Sequence, residues 1–248
     1  MNHFIDLQED QNGNLAIMLH SGSRNLGKKV CDYYNNLAKD LNTKWHSKVP
    51  AEWDLAFLPL DSEEGQDYIE EMNLCLQFAQ ANRHLMMERA KNVVFNMLEK
   101  YCGIKGIGIL NEINIHHNYA AMENHFGENV LVHRKGATKA TAGLPGIIPG
   151  SMGTNSYIVE GLGNRDSFMS CSHGAGRAMG RKEATRQYTA QQVIEDMKKR
   201  DILVLKANKE DIAEECPWAY KDVDAVIKNQ LDLVKVTNIL KPIGVLIA

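Results

Sequence analysis

Phe4-Ile5-Asp6-Leu7-Gln8-Glu9-Asp10-Gln11-Asn12-Gly13-Asn14-Leu15-Ala16-Ile17-Met18-Leu19-His20 decides how the chain begins to fold. A short alternating segment from Phe4 meets the turn residues Gln11-Asn12-Gly13-Asn14, and the apolar Leu15-Ala16-Ile17-Met18 leads back. This is the pattern of a β-hairpin, and it delivers His20 at a strand end. The polar loop His20-Ser21-Gly22-Ser23-Arg24-Asn25-Leu26-Gly27 follows. From Lys28 to Leu41, Val30, Tyr33, Tyr34, Leu37 and Leu41 recur at helical spacing. Strand, glycine loop and helix in succession predict a mixed α/β (α+β) fold.

Further along, Trp53, Leu58-Pro59-Leu60 and the acidic start signal Asp61-Ser62-Glu63-Glu64 precede one long helix, or two abutting ones, over Gln66 to Glu99. Its Tyr68, Met72, Leu76, Phe78, Leu85, Met86, Val93, Val94 and Leu98 are read as core. Between Gly103 and Phe168 short β-like runs alternate with polar turns: Ile113-Asn114-Ile115, Val130-Leu131-Val132-His133, Gly146-Ile147-Ile148-Pro149 and Ser156-Tyr157-Ile158-Val159. A second glycine loop, Ser172-His173-Gly174-Ala175-Gly176-Arg177, feeds a helical stretch through Arg200, followed by a strand Ile202-Leu203-Val204-Leu205. The expected close is an amphipathic helix over Asp222 to Thr237 and a strand from Leu240 to Ile247. With no repeat or linker, residues 1–248 are expected to form a single domain of mixed sheets flanked by helices.

With 248 residues, 44% of them hydrophobic, the chain can bury a sizeable core. A net charge of -3 neither supports nor excludes a nucleic-acid partner; such a surface would be a local patch. Five cysteines, odd in number and without a Cys-x-x-Cys pair, disfavour a disulfide framework and a cysteine zinc finger. The sequence lacks an apolar run near the ~18 residues of a spanning helix and opens without a basic and apolar leader, so a cytoplasmic protein is expected.

Nine histidines occur, and His3, His20, His117 and His173 stand beside Asn, Gly or Ser in predicted loops at strand ends. Any one of them alone reads as a surface or hydrogen-bonded core histidine; together they suit a transition-metal site, since imidazole ligates Mn, Fe, Co, Ni and Zn. Around them lie cations suited to phosphate: Arg24, Arg134, Lys135, Lys139, Arg177 and Arg181, each in or near a glycine-rich turn. Neither glycine loop is a Walker A, Gly161-Leu162-Gly163 lacks a dinucleotide-fold context, and a Gly-x-Ser-x-Gly elbow is missing.

At these residues the chain resembles the RtcB family of RNA-splicing ligases. The matching stretches are Asn2-His3-Phe4, His20-Ser21-Gly22-Ser23-Arg24, His117-Asn118, Val132-His133-Arg134-Lys135-Gly136-Ala137-Thr138, Ile148-Pro149-Gly150-Ser151-Met152-Gly153, Ser172-His173-Gly174-Ala175-Gly176-Arg177 and Ala219-Tyr220-Lys221, in order. The resemblance implies an RtcB-like fold around a metal and nucleotide cleft. It also implies a ligase that joins an RNA 3′-phosphate, or 2′,3′-cyclic phosphate, to a 5′-hydroxyl. His173 would attack the α-phosphate of GTP and carry the guanylate. His3, His20 and His117 would be ligands to two Mn²⁺ ions. Asn2, Asp6, Asn118, Ser151, Met152, Gly174, Gly176 and Tyr220 would line the nucleotide site beside His173, and Arg24, Lys135, Arg177 and Arg181 would hold RNA phosphates.

Against the family pattern, the region bearing an Asp and a bridging Cys is missing ahead of Asn2, so the second metal site is expected to be incomplete. Asp6 stands for a usual Glu, Gly180 for a usual Ser, and Leu246-Ile247-Ala248 for a usual Lys-Gly ending. The implied partners are RNA ends and a separate N-terminal chain or an archease-like activator, with no membrane. The alternative expectation is an impaired, ligase-derived module that binds nucleotide or RNA ends, or a truncated product.

Overall fold

The computed structural model describes residues 3–206 and 210–247. Contacts divide the chain into two compact units, one of Met1–His20 with Met86–Ala248 and the other of Ser21–Leu85. The expected α+β class is borne out.

The first unit is built on a six-stranded sheet. β1 (Phe4–Asp10) and β2 (Leu15–His20) form the expected hairpin, with Phe4 opposite His20 and Asp6 opposite Met18. The turn closes because the Asp10 carboxylate accepts from the backbone N–H groups of Asn12 and Asn14 at 2.8 and 2.9 Å, which holds its pKa down to about 2. Gly13 takes the left-handed φ of 79° that the turn requires.

The 40-residue helix α2 (Glu63–Cys102) begins in the second unit and reaches this one past Leu85. β3 (Asn118–His125) and β4 (Glu128–Lys135) form a separate hairpin, and β5 (Ala137–Lys139) pairs with β8 (Ser170–Ser172). β6 (Pro145–Ile148), β7 (Ser156–Gly161) and β9 (Leu203–Lys206) complete the large sheet around β10 (Val234–Ile247), in the order β2-β1-β10-β7-β6, with β9 parallel to β10.

Two clusters of buried side chains flank β10. One gathers Val193, Met197, Ile212, Cys216, Val245 and Ile247 with Met152; the other gathers Ile148, Val159, Cys171, Val223, Ile227 and Val234. Tyr220 packs against both.

In the second unit, α1 (Arg24–Lys44) and the first part of α2 meet at the rings of Tyr34 and Tyr68, 5.3 Å apart, and bury Tyr34, Ala38, Cys75 and Ala79. Buried Asn42 fixes the intervening loop, its amide donating to the carbonyls of Ala38 at 2.8 Å and Phe57 at 2.6 Å.

Four expectations are corrected. The helix over Asp222 to Thr237 is only α5 (Val223–Lys228), capped by Asp222; Val234, Val236 and Thr237 belong to β10, where β-branched residues suit a pleated strand beside β7. The stretch through Arg200 is two helices, α3 (Arg181–Gln187) and α4 (Ala190–Lys199), because Thr189 and Gln192 form a capping box that starts the second. Ile113-Asn114-Ile115 forms no strand. On α2, Phe78, Leu85 and Val93 are exposed, the small residues Gly65, Cys75 and Ala79 being its buried ones.

Arg134 is buried within the β3–β4 hairpin. It donates to both carboxylate oxygens of Glu123 at 2.7 and 2.9 Å, to the Ser170 hydroxyl at 3.0 Å and to the Phe168 carbonyl at 2.9 Å. Lys139 and His125 also meet that carboxylate, at 3.1 and 2.9 Å. Of these two cations counted from sequence among the phosphate binders, Arg134 is thus consumed inside the protein and the partly exposed Lys139 is paired with the same carboxylate.

The Arg134 hydrogen bonds hold the Glu123 pKa down to about 2. A lowered carboxylate stabilises the native state above its unfolded pKa of 4.5 and loses that contribution as pH falls toward 2. Glu123→Gln should destabilise the protein by about 3 kcal/mol at neutral pH, because it leaves buried Arg134 uncompensated, and the difference from wild type should shrink in acid. Denaturant titrations at neutral and acidic pH measure both effects.

Candidate active site

Strand ends bring the histidines together within the first unit. His20 closes β2 against Phe4, with ring centroids 5.3 Å apart. His117 stands directly before β3, and its Nε2 lies 3.1 Å from Nε2 of His20. His173 follows β8 and stacks on His117, ring centroids 5.3 Å apart and planes 21° from parallel. His3 immediately precedes β1 and is half-buried.

Two imidazole nitrogens bound to one metal ion at about 2.0–2.1 Å stand about 3 Å apart at tetrahedral or octahedral angles. The His20–His117 pair has that separation, and its donor set suits a borderline transition metal. The Nδ1 of His173 is buried and makes no hydrogen bond among the described residues, so this ring is held by stacking and loop geometry.

The loop around His173 is fixed from three sides. The Gln230 side-chain carbonyl accepts from the backbone N–H of Ser172 at 2.9 Å, and the Ser172 hydroxyl donates to the Gly174 carbonyl at 2.6 Å. The Ala175 N–H donates to the Pro149 carbonyl at 3.0 Å, which ties this loop to the segment carrying Ser151 and Met152. Gly136, at the bend between β4 and β5, has a φ of 75° and places its Cα beside the His173 ring; a Cβ there would stand 3.7 Å from Cε1.

The Pro149–Thr154 loop is closed just as tightly. A side chain at Gly150 would strike the Asn155 carbonyl, and the Ser151 N–H donates to the Thr154 hydroxyl at 2.7 Å. The Ser156 hydroxyl accepts from the Gly150 N–H at 3.1 Å and from the Gln8 amide at 3.3 Å, and that amide also reaches Asp6 at 3.4 Å. Asp6 is therefore connected to the loop through Gln8 and Ser156, neither of which stood out in the sequence. Burial pushes the Asp6 carboxyl up to about 7 against the smaller opposing pull of Gln8, and its Oδ1 makes no hydrogen bond among the described residues.

The remaining sequence-predicted residues separate by environment. Asn118 and Lys135 pair across the β3–β4 hairpin and are exposed, Lys135 facing away from buried Arg134. Ser151 is half-buried, whereas the Met152 side chain lies in the core. Gly174 is buried and Gly176 has a φ of 73°; Gly176 accepts from the Lys221 N–H at 2.9 Å through its carbonyl. Tyr220, joined to Arg177 by a β-bridge, donates its hydroxyl to Glu215, and burial followed by this carboxylate drives its phenol pKa upward. Arg181 also meets Glu215, at 3.2 Å. Arg24 opens α1 in the second unit, and Asn2 lies outside the described residues.

Comparison with known proteins agrees with these motifs. A family model described as tRNA-splicing ligase RtcB matches residues 1–247. An RNA-splicing ligase RtcB of Escherichia coli K12 is 40% identical over 242 residues, covering 98% of this chain and 58% of that protein. A tRNA-splicing ligase RtcB of Pyrobaculum aerophilum is 34% identical over 285 residues, 98% of this chain and 57% of that protein. An RNA-splicing ligase RtcB of Mycobacterium bovis is 34% identical over 251 residues, 94% and 56%. The chain thus spans less than three-fifths of the length of these three relatives. Among the described residues, no helix is long and apolar enough to cross a membrane.

The raised Asp6 carboxyl has a thermodynamic signature. Between its unfolded pKa of 3.8 and its native value of about 7, the native state holds a proton that the unfolded chain has released, so stability falls as pH rises through that window. Asp6→Asn removes the titration. The variant should gain stability relative to wild type between about pH 5 and about pH 8, read from paired guanidinium titrations; a pH-independent difference would refute the assignment.

Proposed function

The chain belongs to the RtcB family, and from that premise we propose that it carries the nucleotidyl-transfer chemistry of a GTP-dependent RNA ligase, with residues 1–248 acting as one catalytic portion. The observation that carries the reading is the stacked pair His117–His173 with His20 at 3.1 Å from His117. It joins a nucleophile candidate to a metal-ligand pair.

A ring nitrogen of His173 attacks the α-phosphorus of GTP, the bond to the β-phosphate oxygen breaks, and pyrophosphate leaves. An oxygen of an RNA 3′-phosphate then takes the guanylate from His173, and the 5′-hydroxyl of a second RNA attacks that activated phosphate and releases GMP. Neutral imidazole suits the first step because it attacks without carrying a negative charge toward phosphate, and the phosphoramidate it forms is a reactive donor. A 2′,3′-cyclic phosphate end enters this sequence after opening to the 3′-phosphate.

His20 and His117, with His3, would hold Mn²⁺, which when bound neutralises phosphate charge near His173. Stacking on His117 orients the His173 ring, and Gly136 leaves room beside it. Asp6, Asn118, Ser151, the Met152 backbone, Gly174, Gly176 and Tyr220 are proposed to receive the nucleotide, together with Asn2. Arg24, Lys135 and Arg181 are proposed for the RNA side, with Arg177, whose nitrogens are bonded within the protein, supporting them from beneath. Tyr220 keeps its phenol protonated at physiological pH, so it meets a base as a neutral aromatic surface. The polypeptide that makes up the rest of the relatives' length and an archease-like activator are the proposed protein partners, in a cytoplasmic setting.

Incubation with radiolabelled GTP and Mn²⁺ should place acid-labile label on the wild type and none on His173→Ala. Chelation of the metal, or His117→Ala, should remove at least nine-tenths of the label, since two functions of the site are then lost. A chain that takes up no label, alone or with the relatives' additional segment supplied in trans, overturns the reading.

A further inference from the structure

Three side chains assigned above to ligand binding converge on one carboxylate that no sequence motif singles out. Glu215 ends a short 3-10 turn (Glu210–Glu215), and its side chain is only 7% exposed. It accepts from the Tyr220 hydroxyl, from Arg177 Nη1 at 3.4 Å and from Arg181 Nε at 3.2 Å.

The two arginines are held differently. Arg177 has every nitrogen committed: Nε to the Met179 carbonyl at 3.0 Å, Nη2 to the Glu214 carbonyl at 2.7 Å, and Nη1 to Glu215 and the Tyr220 hydroxyl. Its guanidinium also lies over the Tyr220 ring, 5.1 Å from the centroid. Arg181 hydrogen-bonds Glu215 through Nε, which is also its closest atom to Glu214, at 3.5 Å. Its side chain is 43% exposed, and Nη1 and Nη2 make no hydrogen bond among the described residues.

A guanidinium anchored at Nε and open at both Nη atoms is a fork already oriented for an anion with two adjacent oxygens. Anchoring removes much of the rotamer freedom that binding would otherwise have to take from an exposed arginine. Arg177, by contrast, is a strut beneath Tyr220.

We propose that Glu215 is a positioning residue of the RNA-end site: it presents the open fork of Arg181 to the terminal phosphate while locking Arg177 and Tyr220 together as the adjoining wall. This rests on the ligase reading for the nature of the anion. The division of labour between the arginines and the role of Glu215 come from the hydrogen bonds.

The test is a double-mutant cycle read by fluorescence anisotropy, with a 5′-labelled single-stranded oligoribonucleotide ending in either a 3′-phosphate or a 3′-hydroxyl. The wild type should prefer the 3′-phosphate. Glu215→Gln, which keeps shape and removes charge, should weaken binding of the 3′-phosphate end about tenfold while changing the 3′-hydroxyl end less than about twofold, the size expected when one charge-assisted contact is misaligned. In an Arg181→Gln background the same substitution should cost less than about twofold, because the residue through which it acts is gone.

Equal losses in both backgrounds, or no loss in the wild-type background, overturn the positioning role. If Glu215→Gln does not fold, Glu215→Asp replaces it in the same cycle; it retains the charge and withdraws it by one methylene. A wild type that fails to distinguish the two RNA ends sinks the ligase reading of this site, and the proposal with it. Discrimination that survives unchanged in the Glu215 variants sinks the proposal alone.

Discussion

β10 is paired along one side with β1 and along the other with β7 and β9, so a single fourteen-residue strand sets the registers on which the first unit is built. Its alternation turns Val245 and Ile247 into one buried cluster, and Val234 into the other. A one-residue slip would reverse that alternation and expose all three. The same pairing fixes β1, whose opposite edge places His20 across from Phe4. The positions of the site histidines are consequences of strand registers, with their loops supplying the final orientation.

Those loops contain little freedom. Gln230 holds the backbone before His173, Pro149 holds the backbone after it, and the Gly150 segment is tied through Ser156 and Gln8 to β1. Preorganisation of this kind matters for phosphoryl transfer, where positioning and electrostatics supply nearly all the rate. It carries a cost in polar groups left incompletely bonded: Asp6 Oδ1, Gln8 Oε1, His173 Nδ1 and Gln230 Nε2 are buried without a hydrogen-bond partner among the described residues. Such groups are normally satisfied in proteins. These four atoms lie on residues that shape one site, while Asn42 Oδ1 in the second unit shares the property.

Much of this was legible in the sequence because it depends on local chemistry. The Gln11–Asn14 turn, the hairpin and the strand-end histidines follow from residue type and short spacing. The misread elements depend on contacts distant in sequence. Val234 to Thr237 can be written with helical periodicity, but pairing with β7 makes them strand. Phe78, Leu85 and Val93 satisfy a helical stripe on α2 yet remain exposed, since apolar spacing identifies a face without saying what covers it. Glu215 was invisible for the same reason: an acid beside another acid has no local mark, and its meaning appears only when Arg177, Arg181 and Tyr220 are brought to it.

The cations make the general point most sharply. Arg134 and Lys135 are neighbours in one motif, with similar composition around them, but strand alternation sends the first inward to Glu123 and leaves the second exposed. Arg177 and Arg181, one helical turn apart in spacing, divide in the same way: one guanidinium is saturated by the protein and the other, among the described residues, retains an open fork. In the first pair the buried Glu123 carboxylate makes the distinction; in the second, Glu215 meets both arginines and the carbonyls of Met179 and Glu214 saturate only Arg177. Removing an arginine from water requires a fixed partner, whereas recruiting an anion requires donors that the protein has not itself consumed. An anion site assembled from such pairs gains rigidity from its inner cations and affinity from its outer ones, so counting basic residues overestimates the charge offered to an anion and underestimates how firmly it is held.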